Sequence, residues 1–497
     1  MLNRFKKIAE YIRKLNFSID KYKEDTIVQS LPSKAIVNRA KKYIDSQEYK
    51  EAENILNEAL ELPQEDALVY KYLGICAEKT GRFDDAMRAY KKSANINQQD
   101  KEIWIKLGFS QIQCQLFEEA EKAFENANKI NPSHTDVYAG WGMSLMKQKR
   151  YSEAHEKFVE AVRLNKYNFM AMLLAAIMEI RLERYEDAEL KLNFLSTVAP
   201  NETNTYEYAH LKYIKKDYSN AEYYAKKALE FNPAMLNPYL ILGKIYRKQL
   251  ELQKAEAVFE EALRHNPSAP NLFYEWGVTA QYFENYELAK EKFEKVLELS
   301  PEEGFAKAGL GLTYAALGNI EDAEPLVYAE LEKEPECYLA IKGKAMILFK
   351  KSDYENSIEL FKKILKEDST DYACNYYIAK SYEHIGNNIL TKEYYENAVK
   401  RFPALIKAYI DYSNYLIQKN DYAEAQRKLR KAVKADENNI EILNLLFHVS
   451  YILVKENLCE YNVKEVIALG DKIISLNPEA FKYNDEKTEL ENILNNL

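Results

Sequence analysis

Three short glycine motifs are the first places where this sequence could do chemistry. Gly309-Leu310-Gly311 has the spacing with which a dinucleotide-binding loop begins, and Gly343-Lys344 resembles the end of a phosphate-binding loop. The first motif lacks the third glycine, and Tyr338 occupies the upstream position at which the second motif needs glycine. Ser144 follows Gly142, but no glycine follows the serine to complete a nucleophile elbow. None of these motifs therefore predicts phosphate binding or nucleophilic catalysis.

The titratable side chains that could act as catalysts or metal ligands are scattered along the chain. The histidines show no HExxH or other metal-binding spacing, and the cysteines form no CxxC pair. Carboxylate pairs such as Asp84-Asp85 lie at expected helix starts, where negative charge suits the helix dipole. We therefore predict no catalytic residue, no metal site and no bound cofactor, and we expect that the protein is not an enzyme. The histidines are His134, His155, His210, His265, His384 and His448, and the cysteines are Cys76, Cys114, Cys337, Cys374 and Cys459.

The overall composition limits the kinds of partner and the cellular compartment that we expect for this protein. The 497 residues carry a formal net charge of -9, which argues against a general nucleic-acid-binding protein. An odd number of scattered cysteines fits a reducing compartment. The N-terminus does not resemble a signal peptide, and there is no apolar run of about 18 residues, the length that a membrane-spanning helix needs. We therefore expect a soluble, cytoplasmic protein.

Small residues recur every 34 residues along the sequence. This period indicates the helices that carry the titratable side chains described above. Near the small residues, apolar side chains follow the spacing of an amphipathic helix, and proline recurs where the second helix of each unit should end. A period of this length indicates a solenoid of stacked helical hairpins rather than separate globular domains. One series is Ala40, Gly74, Gly108, Gly142, Ala176, Gly243, Gly277, Gly311 and Ala345, and the other is Ala52, Ala86, Ala120, Ala154, Ala188, Ala221, Ala255, Ala289 and Ala323, with one step of 33 residues before Ala221.

The seventh repeat shows the pattern of the unit most fully, and the third repeat shows it in part. The third repeat carries Trp104, Leu107, Gly108, Ala120, Phe124 and Pro132, and the seventh, Leu236–Ala269, has Tyr239 in place of the tryptophan. These residues resemble the W-x2-L-G-x2-Y…A-x3-F…P signature of the tetratricopeptide repeat family. The resemblance implies an all-α, right-handed superhelical solenoid of about twelve tandem helix-turn-helix units with terminal capping helices.

The repeats suggest four segments. Residues 1–32 are expected to form a basic amphipathic helix and linker, residues 33–439 twelve repeats, residues 440–480 a divergent thirteenth hairpin, and residues 481–497 a polar C-terminal cap or tail. The N-terminal helix could lie on an anionic membrane surface, or it could pack against the first repeat and cap the solenoid. Its apolar stripe is Leu2, Phe5, Ile8, Ile12 and Leu15.

In the family that the repeats resemble, the first helix of each repeat lines a concave groove, and its free positions contact partner peptides. These positions are apolar in repeats 4 and 5, which is typical of a partner-binding surface, unless the helices roll inward and bury them. They are basic or polar in repeat 7, which suits an acidic peptide but also an ordinary solvated surface. Repeat 11 offers Tyr376, Tyr377 and Lys380 as an aromatic candidate. The apolar candidates are Ala139, Met143, Met146, Met170, Leu173, Leu174, Ile177 and Ile180, and the acidic-peptide candidates are Asn237, Lys244, Arg247 and Lys248.

The sequence therefore favours a non-catalytic scaffold or adaptor that binds a peptide or helix of a partner protein in the concave groove. Two alternatives remain open. The chain could be a targeting or regulatory subunit of a separately encoded enzyme, such as a glycosyltransferase. It could also be a peripheral membrane assembly factor, an alternative that depends on the N-terminal helix. The expected partners are other proteins, not nucleic acid.

Overall fold

The computed structural model describes residues 31–62, 65–367, 371–400, 406–456 and 460–496, and these residues form 27 α-helices and no β-strand. The prediction of an all-α chain of helical hairpins is confirmed. Residues 1–30, for which a basic amphipathic helix was predicted, lie outside the described part. Helices α1 to α26 pair into successive hairpins, in which odd-numbered helices come first, and the chain divides into two compact units, residues 1–231 and 232–497.

The described residues of the first unit form twelve helices. They are α1 (Leu31–Asp45), α2 (Tyr49–Leu60), α3 (Ala67–Lys79), α4 (Phe83–Ile96), α5 (Lys101–Gln113), α6 (Phe117–Ile130), α7 (Thr135–Lys147), α8 (Tyr151–Leu164), α9 (Phe169–Arg181), α10 (Tyr185–Val198), α11 (Glu202–Ile214) and α12 (Tyr218–Phe231).

The second unit contains the remaining described helices. They are α13 (Leu236–Gln249), α14 (Leu252–His265), α15 (Pro270–Tyr282), α16 (Tyr286–Leu299), α17 (Gly304–Leu317), α18 (Ile320–Lys333), α19 (Tyr338–Lys350), α20 (Tyr354–Glu367), α21 (Tyr372–Ile385), α22 (Asn388–Ala398), α23 (Ile406–Gln418), α24 (Tyr422–Val433), α25 (Ile440–Glu456), α26 (Glu460–Leu476) and α27 (Asn484–Asn496).

A small residue on the first helix and a large one on the second lock many of the hairpins together. A Cβ atom placed on Gly108 would lie 2.7 Å from the ring of Phe124, which is closer than real side-chain atoms approach. Gly142 has the same relation to Phe158, also at 2.7 Å, and both rings are fully buried. The 34-residue series of small residues therefore marks the positions at which two helices approach most closely.

Polar side chains at one register position fix where the first helices begin. Asp66 accepts a hydrogen bond from the Leu68 amide at 2.8 Å, and Asp100 accepts one from the Glu102 amide at 3.0 Å. Asp371 does the same for the Cys374 amide at 2.9 Å. Such N-caps satisfy backbone donors that the helix itself leaves without partners. They also set which side chains of the next first helix face the neighbouring hairpins.

The last hairpin, α25 and α26, has a large residue on its first helix where the preceding hairpins have a small one. Its first helix carries Phe447 at the register of the small residues, and a Cβ atom on Gly470 of α26 would lie 3.0 Å from the Phe447 ring. The Phe447 ring also packs against Phe481 and Tyr483, at centroid distances of 5.0 Å and 5.9 Å. These contacts join the hairpin to α27, whose Leu490 is fully buried.

Candidate functional site

The apolar candidates of repeats 4 and 5 lie on the first helices α7 and α9, but they differ widely in exposure. Met170 is 63% exposed, whereas Leu173 and Ile180 are only 6% and 7% exposed. The remaining candidates, Ala139, Met143, Met146, Leu174 and Ile177, are half-buried.

The expectation that Leu173 and Ile180 face the groove is wrong. Both side chains belong to a hydrophobic cluster that includes Leu192 of α10 and Tyr208 and Leu211 of α11. The next first helix, α11, covers the face of α9 that a repeat taken alone would leave free. These two residues therefore hold three helices together and offer little surface to a partner.

The basic candidates of repeat 7 are largely paired within the protein. Lys244 and Arg247 of α13 both contact the Glu275 carboxylate of α15, at 2.9 Å and 3.3 Å. The Arg247 guanidinium also donates a hydrogen bond to the Thr279 hydroxyl at 3.0 Å. Asn237 is exposed at the start of α13. The site is therefore not a free cationic patch, because the next repeat supplies a carboxylate to two of its three cations.

Lys248, the third cation, lines a cavity of about 190 Å³ on the first-helix surface of the second unit. Residues from α13, α15, α17, α19 and α21, the first helices of five successive repeats, surround this cavity. Its walls combine apolar side chains with five tyrosines, three cations and one carboxylate. The lining residues are Arg247, Lys248, Val278, Gln281, Tyr282, Tyr286, Leu312, Tyr338, Leu339, Lys342, Met346, Asp371, Tyr372, Ala373 and Tyr377.

A buried ion pair joins α19 to α21 in the wall of the cavity. The Asp371 carboxylate accepts hydrogen bonds from the Lys342 ammonium and the Tyr338 hydroxyl, each at 2.6 Å. Burial by itself would raise the pKa of Asp371, but attraction to Lys342 and the hydrogen bonds to the carboxylate lower it to about 2. Burial by itself would lower the pKa of Lys342, but the Asp371 carboxylate raises it well above its ordinary value. The pair is therefore charged at neutral pH and internally compensated.

The aromatic candidates of repeat 11 are also held by neighbouring polar groups. Tyr376 is buried and donates a hydrogen bond to the Asp411 carboxylate of α23 at 2.6 Å. The Lys380 ammonium lies 3.3 Å from Glu383 and 3.8 Å from Asp411. Tyr377 alone of the three lines the cavity. It has a pKa that burial raises above its ordinary value.

Sequence reasoning missed Tyr338, Leu339 and Lys342 as a wall of this cavity. A usable signal was present, because Lys342 precedes Asp371 by the same spacing that separates Lys71 from Asp100 in repeats 2 and 3. That earlier pair is also formed, at 3.1 Å. A lysine on one first helix and an N-cap aspartate on the next therefore predict a contact between neighbouring repeats.

The described ranges hold neither a metal site nor a membrane-spanning helix. No group of three or more His, Cys, Asp or Glu side chains there is placed to hold a metal ion. No helix in the same ranges is both long and apolar enough to cross a bilayer.

Comparison with known proteins identifies the repeats. Sequence models described as tetratricopeptide repeat match residues 37–100, 140–193, 274–334 and 309–372, and also residues 101–134, 236–268 and 406–439. The chain belongs to the tetratricopeptide repeat family. These matches together cover more than half of the chain and include the repeats of α13, α15, α17 and α19, four of the five that form the cavity.

The chain is also similar to three individual proteins. The TPR repeat-containing protein YpiA of Bacillus subtilis is 23% identical over 323 residues, which is 56% of this chain and 74% of that protein. The general transcriptional corepressor trfA of Dictyostelium discoideum is 33% identical over 93 residues, which is 18% of this chain but only 7% of that protein. A chain in the crystal structure of the APC/C hetero-tetramer Cut9-Hcn1 aligns with a TM-score of 0.52 and 12% identity, covering 91% of this chain and 94% of that one. This last likeness is one of fold.

Proposed function

We propose that this tetratricopeptide repeat protein is a non-catalytic scaffold or adaptor that binds a peptide or helix of a partner protein in the groove lined by its first helices. The observation that carries the proposal is the cavity on the first-helix surface of the second unit. Five successive repeats contribute to its walls. A preformed surface of this kind lowers the ordering cost of capturing a peptide.

The chemistry of the cavity suits a peptide better than a single charged group. Asp371 compensates Lys342, and Glu275 compensates Arg247, so the walls offer hydroxyl groups and apolar surface beside paired charges. Val278 and Leu339 can receive an apolar side chain, while tyrosine hydroxyls can bond to a peptide backbone. The exposed Met170 and its half-buried neighbours form a second candidate surface in the first unit.

Partner capture by full-length protein tests this proposal. The test compares wild type with Lys248→Glu, which reverses a charge in the cavity, and with Met170→Asp, which makes the exposed patch of repeat 5 polar. Lys295→Glu on helix α16 is the matched control, because Lys295 is exposed and lies outside the cavity lining. Captured proteins are quantified by mass spectrometry, and each candidate is then purified and titrated against the same variants.

We expect at least one purified partner to bind about tenfold more weakly to Lys248→Glu or Met170→Asp, which corresponds to about 1.4 kcal/mol. The control should bind that partner like wild type, and all variants should keep the wild-type circular dichroism spectrum. Partners that bind every variant equally would refute binding through the first-helix surface.

A further inference from the structure

The last hairpin leaves a wide cleft between α24, α25 and α26. Its volume is about 830 Å³. The cavity between α22 and α24, one repeat earlier, measures only about 330 Å³ and is lined by five polar or charged side chains and one valine. The wide cleft instead has six aliphatic side chains in its walls: Val433, Leu446, Leu453, Val454, Val466 and Leu469.

The shape of the cleft follows from the three helices. Helices α24 and α26 are second helices of successive hairpins and run in the same direction, while α25 runs between them in the opposite direction. Along α26 the lining extends from Asn462 to Lys472, which is about 15 Å at the usual rise per helical residue. The cleft is therefore a groove about three helical turns long, with aliphatic and polar side chains in its walls.

The two ends of this groove carry side chains of opposite charge. Lys434 and Lys472 lie toward the C-terminal ends of α24 and α26, whereas Glu456 lies at the opposite end of the groove. The Lys472 ammonium donates a hydrogen bond to the main-chain carbonyl of Glu437 at 2.7 Å. This contact does not neutralise the lysine, because the acceptor is an uncharged carbonyl group. Arg430 and Glu465 pair with each other midway, at 2.9 Å. One end of the groove is therefore basic and the other acidic.

We propose that this groove binds an amphipathic helix of a partner protein. The aliphatic stripe of the partner helix would pack on Val433, Leu453 and Leu469, the half-buried aliphatic side chains of the groove. The C-terminal end of the partner helix, with its negative dipole and acidic side chains, would lie against Lys434 and Lys472, and its N-terminal end would lie near Glu456. This site is separate from the first-helix cavity, so it stands or falls independently of the function proposed above.

The basic N-terminal segment of this chain fits the groove less well. Residues 1–23 carry seven Lys or Arg and only two acidic residues. Their apolar stripe could occupy the groove only by bringing positive charge to a site with an excess of cations. A peptide of this segment is therefore included in the test as a competing occupant.

Fluorescence anisotropy with synthetic peptides and the full chain tests the proposal. The probes are helix-forming peptides of about 15 residues, long enough to form a helix on binding, with Leu at the a and d positions. One peptide ends in two Glu, a second ends in two Lys, a third is a scramble of the first, and the fourth is residues 1–23 of this chain. The protein variants are Leu469→Glu in the groove, the exchange Lys434→Glu/Lys472→Glu at its basic end, and Lys431→Glu in the smaller cavity as a control.

We expect the Glu-ended peptide to bind wild type about tenfold more tightly than the other three peptides. Leu469→Glu should lose this binding, Lys434→Glu/Lys472→Glu should prefer the Lys-ended peptide, and Lys431→Glu should behave like wild type. The charge reversal keeps the proposal testable if Leu469→Glu does not fold. Equal binding of the scramble, tighter binding of residues 1–23, or an unchanged preference in the charge-reversed variant would overturn the proposal.

Discussion

Leu173 and Met170 show how burial separates residues that look equivalent in the sequence. They lie three positions apart on α9, and both occupy free positions of the family pattern. Leu173 is 6% exposed inside a cluster of three helices, whereas Met170 is 63% exposed. A substitution at Met170 can therefore alter a surface contact without destabilising the hairpin, whereas a substitution at Leu173 cannot.

We predict that Leu173→Asp lowers the free energy of unfolding by about 3–4 kcal/mol, because it buries an unpaired carboxylate among apolar side chains. Met170→Asp should change it by no more than about 0.5 kcal/mol, because the side chain stays in water. Urea titration followed by circular dichroism measures both variants. A similar loss of stability in the two would mean that α9 is oriented differently from this description.

For single residues, the sequence predicts where two helices come close better than it predicts which charged side chains pair. The periodic small residues, such as Gly108 and Gly142, do mark close helix contacts, because steric exclusion acts locally and repeats with the chain. The pairing of Lys244 and Arg247 with Glu275 could not be seen within one repeat. It depends on how far α15 is rotated against α13, and no local pattern encodes that rotation.

Among the elements, helices α19 and α21 are joined by the Lys342–Asp371 pair, whose side chains are 16% and 8% exposed. Asp371 has two roles, because it also caps α21 through the Cys374 amide. Removing only the aspartate would leave a nearly buried ammonium group unpaired. The loss of one partner is therefore expected to cost more than the replacement of both.

We predict that Asp371→Asn lowers the free energy of unfolding by about 3–5 kcal/mol and that Asp371→Asn/Lys342→Met recovers much of this loss. The two variants are compared with wild type by urea titration at neutral pH. A double variant no more stable than Asp371→Asn would show that the cap, rather than the charge pair, dominates.

The same pair predicts an acid dependence. The folded pKa of Asp371 is about 2, below the value of about 3.9 for an unfolded aspartate, so its contribution is complete above that unfolded pKa. About 2 kcal/mol of stability should be lost as the pH falls from 4 to 2. Asp371→Asn lacks this contribution, and its stability should fall less over that interval. Parallel curves for the variant and wild type would contradict this prediction.

The hairpins themselves were the most predictable elements, because a 34-residue period and helical spacing together define them. The divergent last hairpin was predicted within residues 440–480, and the structure has α25 at Ile440–Glu456 and α26 at Glu460–Leu476. The cleft beside it was not foreseen. It lies in the hairpin where the 34-residue pattern breaks, since Phe447 occupies the register of the small residues.

Across the whole molecule, the main helix contacts of the described residues join helices one or two places apart in the chain. Stability in such an array is close to a sum of hairpin and nearest-neighbour terms. The function proposed here uses the same property, because a row of similar first helices presents adjacent positions that can differ in chemistry. The proposed partner would then contact several repeats at once, as in the cavity between α13 and α21.

This local organisation predicts that residues 232–497 fold without residues 1–231. The division falls between hairpins, so every described second helix of the unit keeps its first helix. Residues 252–497 serve as the matched control, since that chain begins at α14 and lacks Gly243, against which the Phe259 ring packs. Hydrogen exchange should show α14 protected in the longer chain and unprotected in the shorter one, while α19 and α21 stay protected in both. If residues 232–497 showed no cooperative unfolding by urea, stability would have to be shared across the division, and the nearest-neighbour description would be wrong.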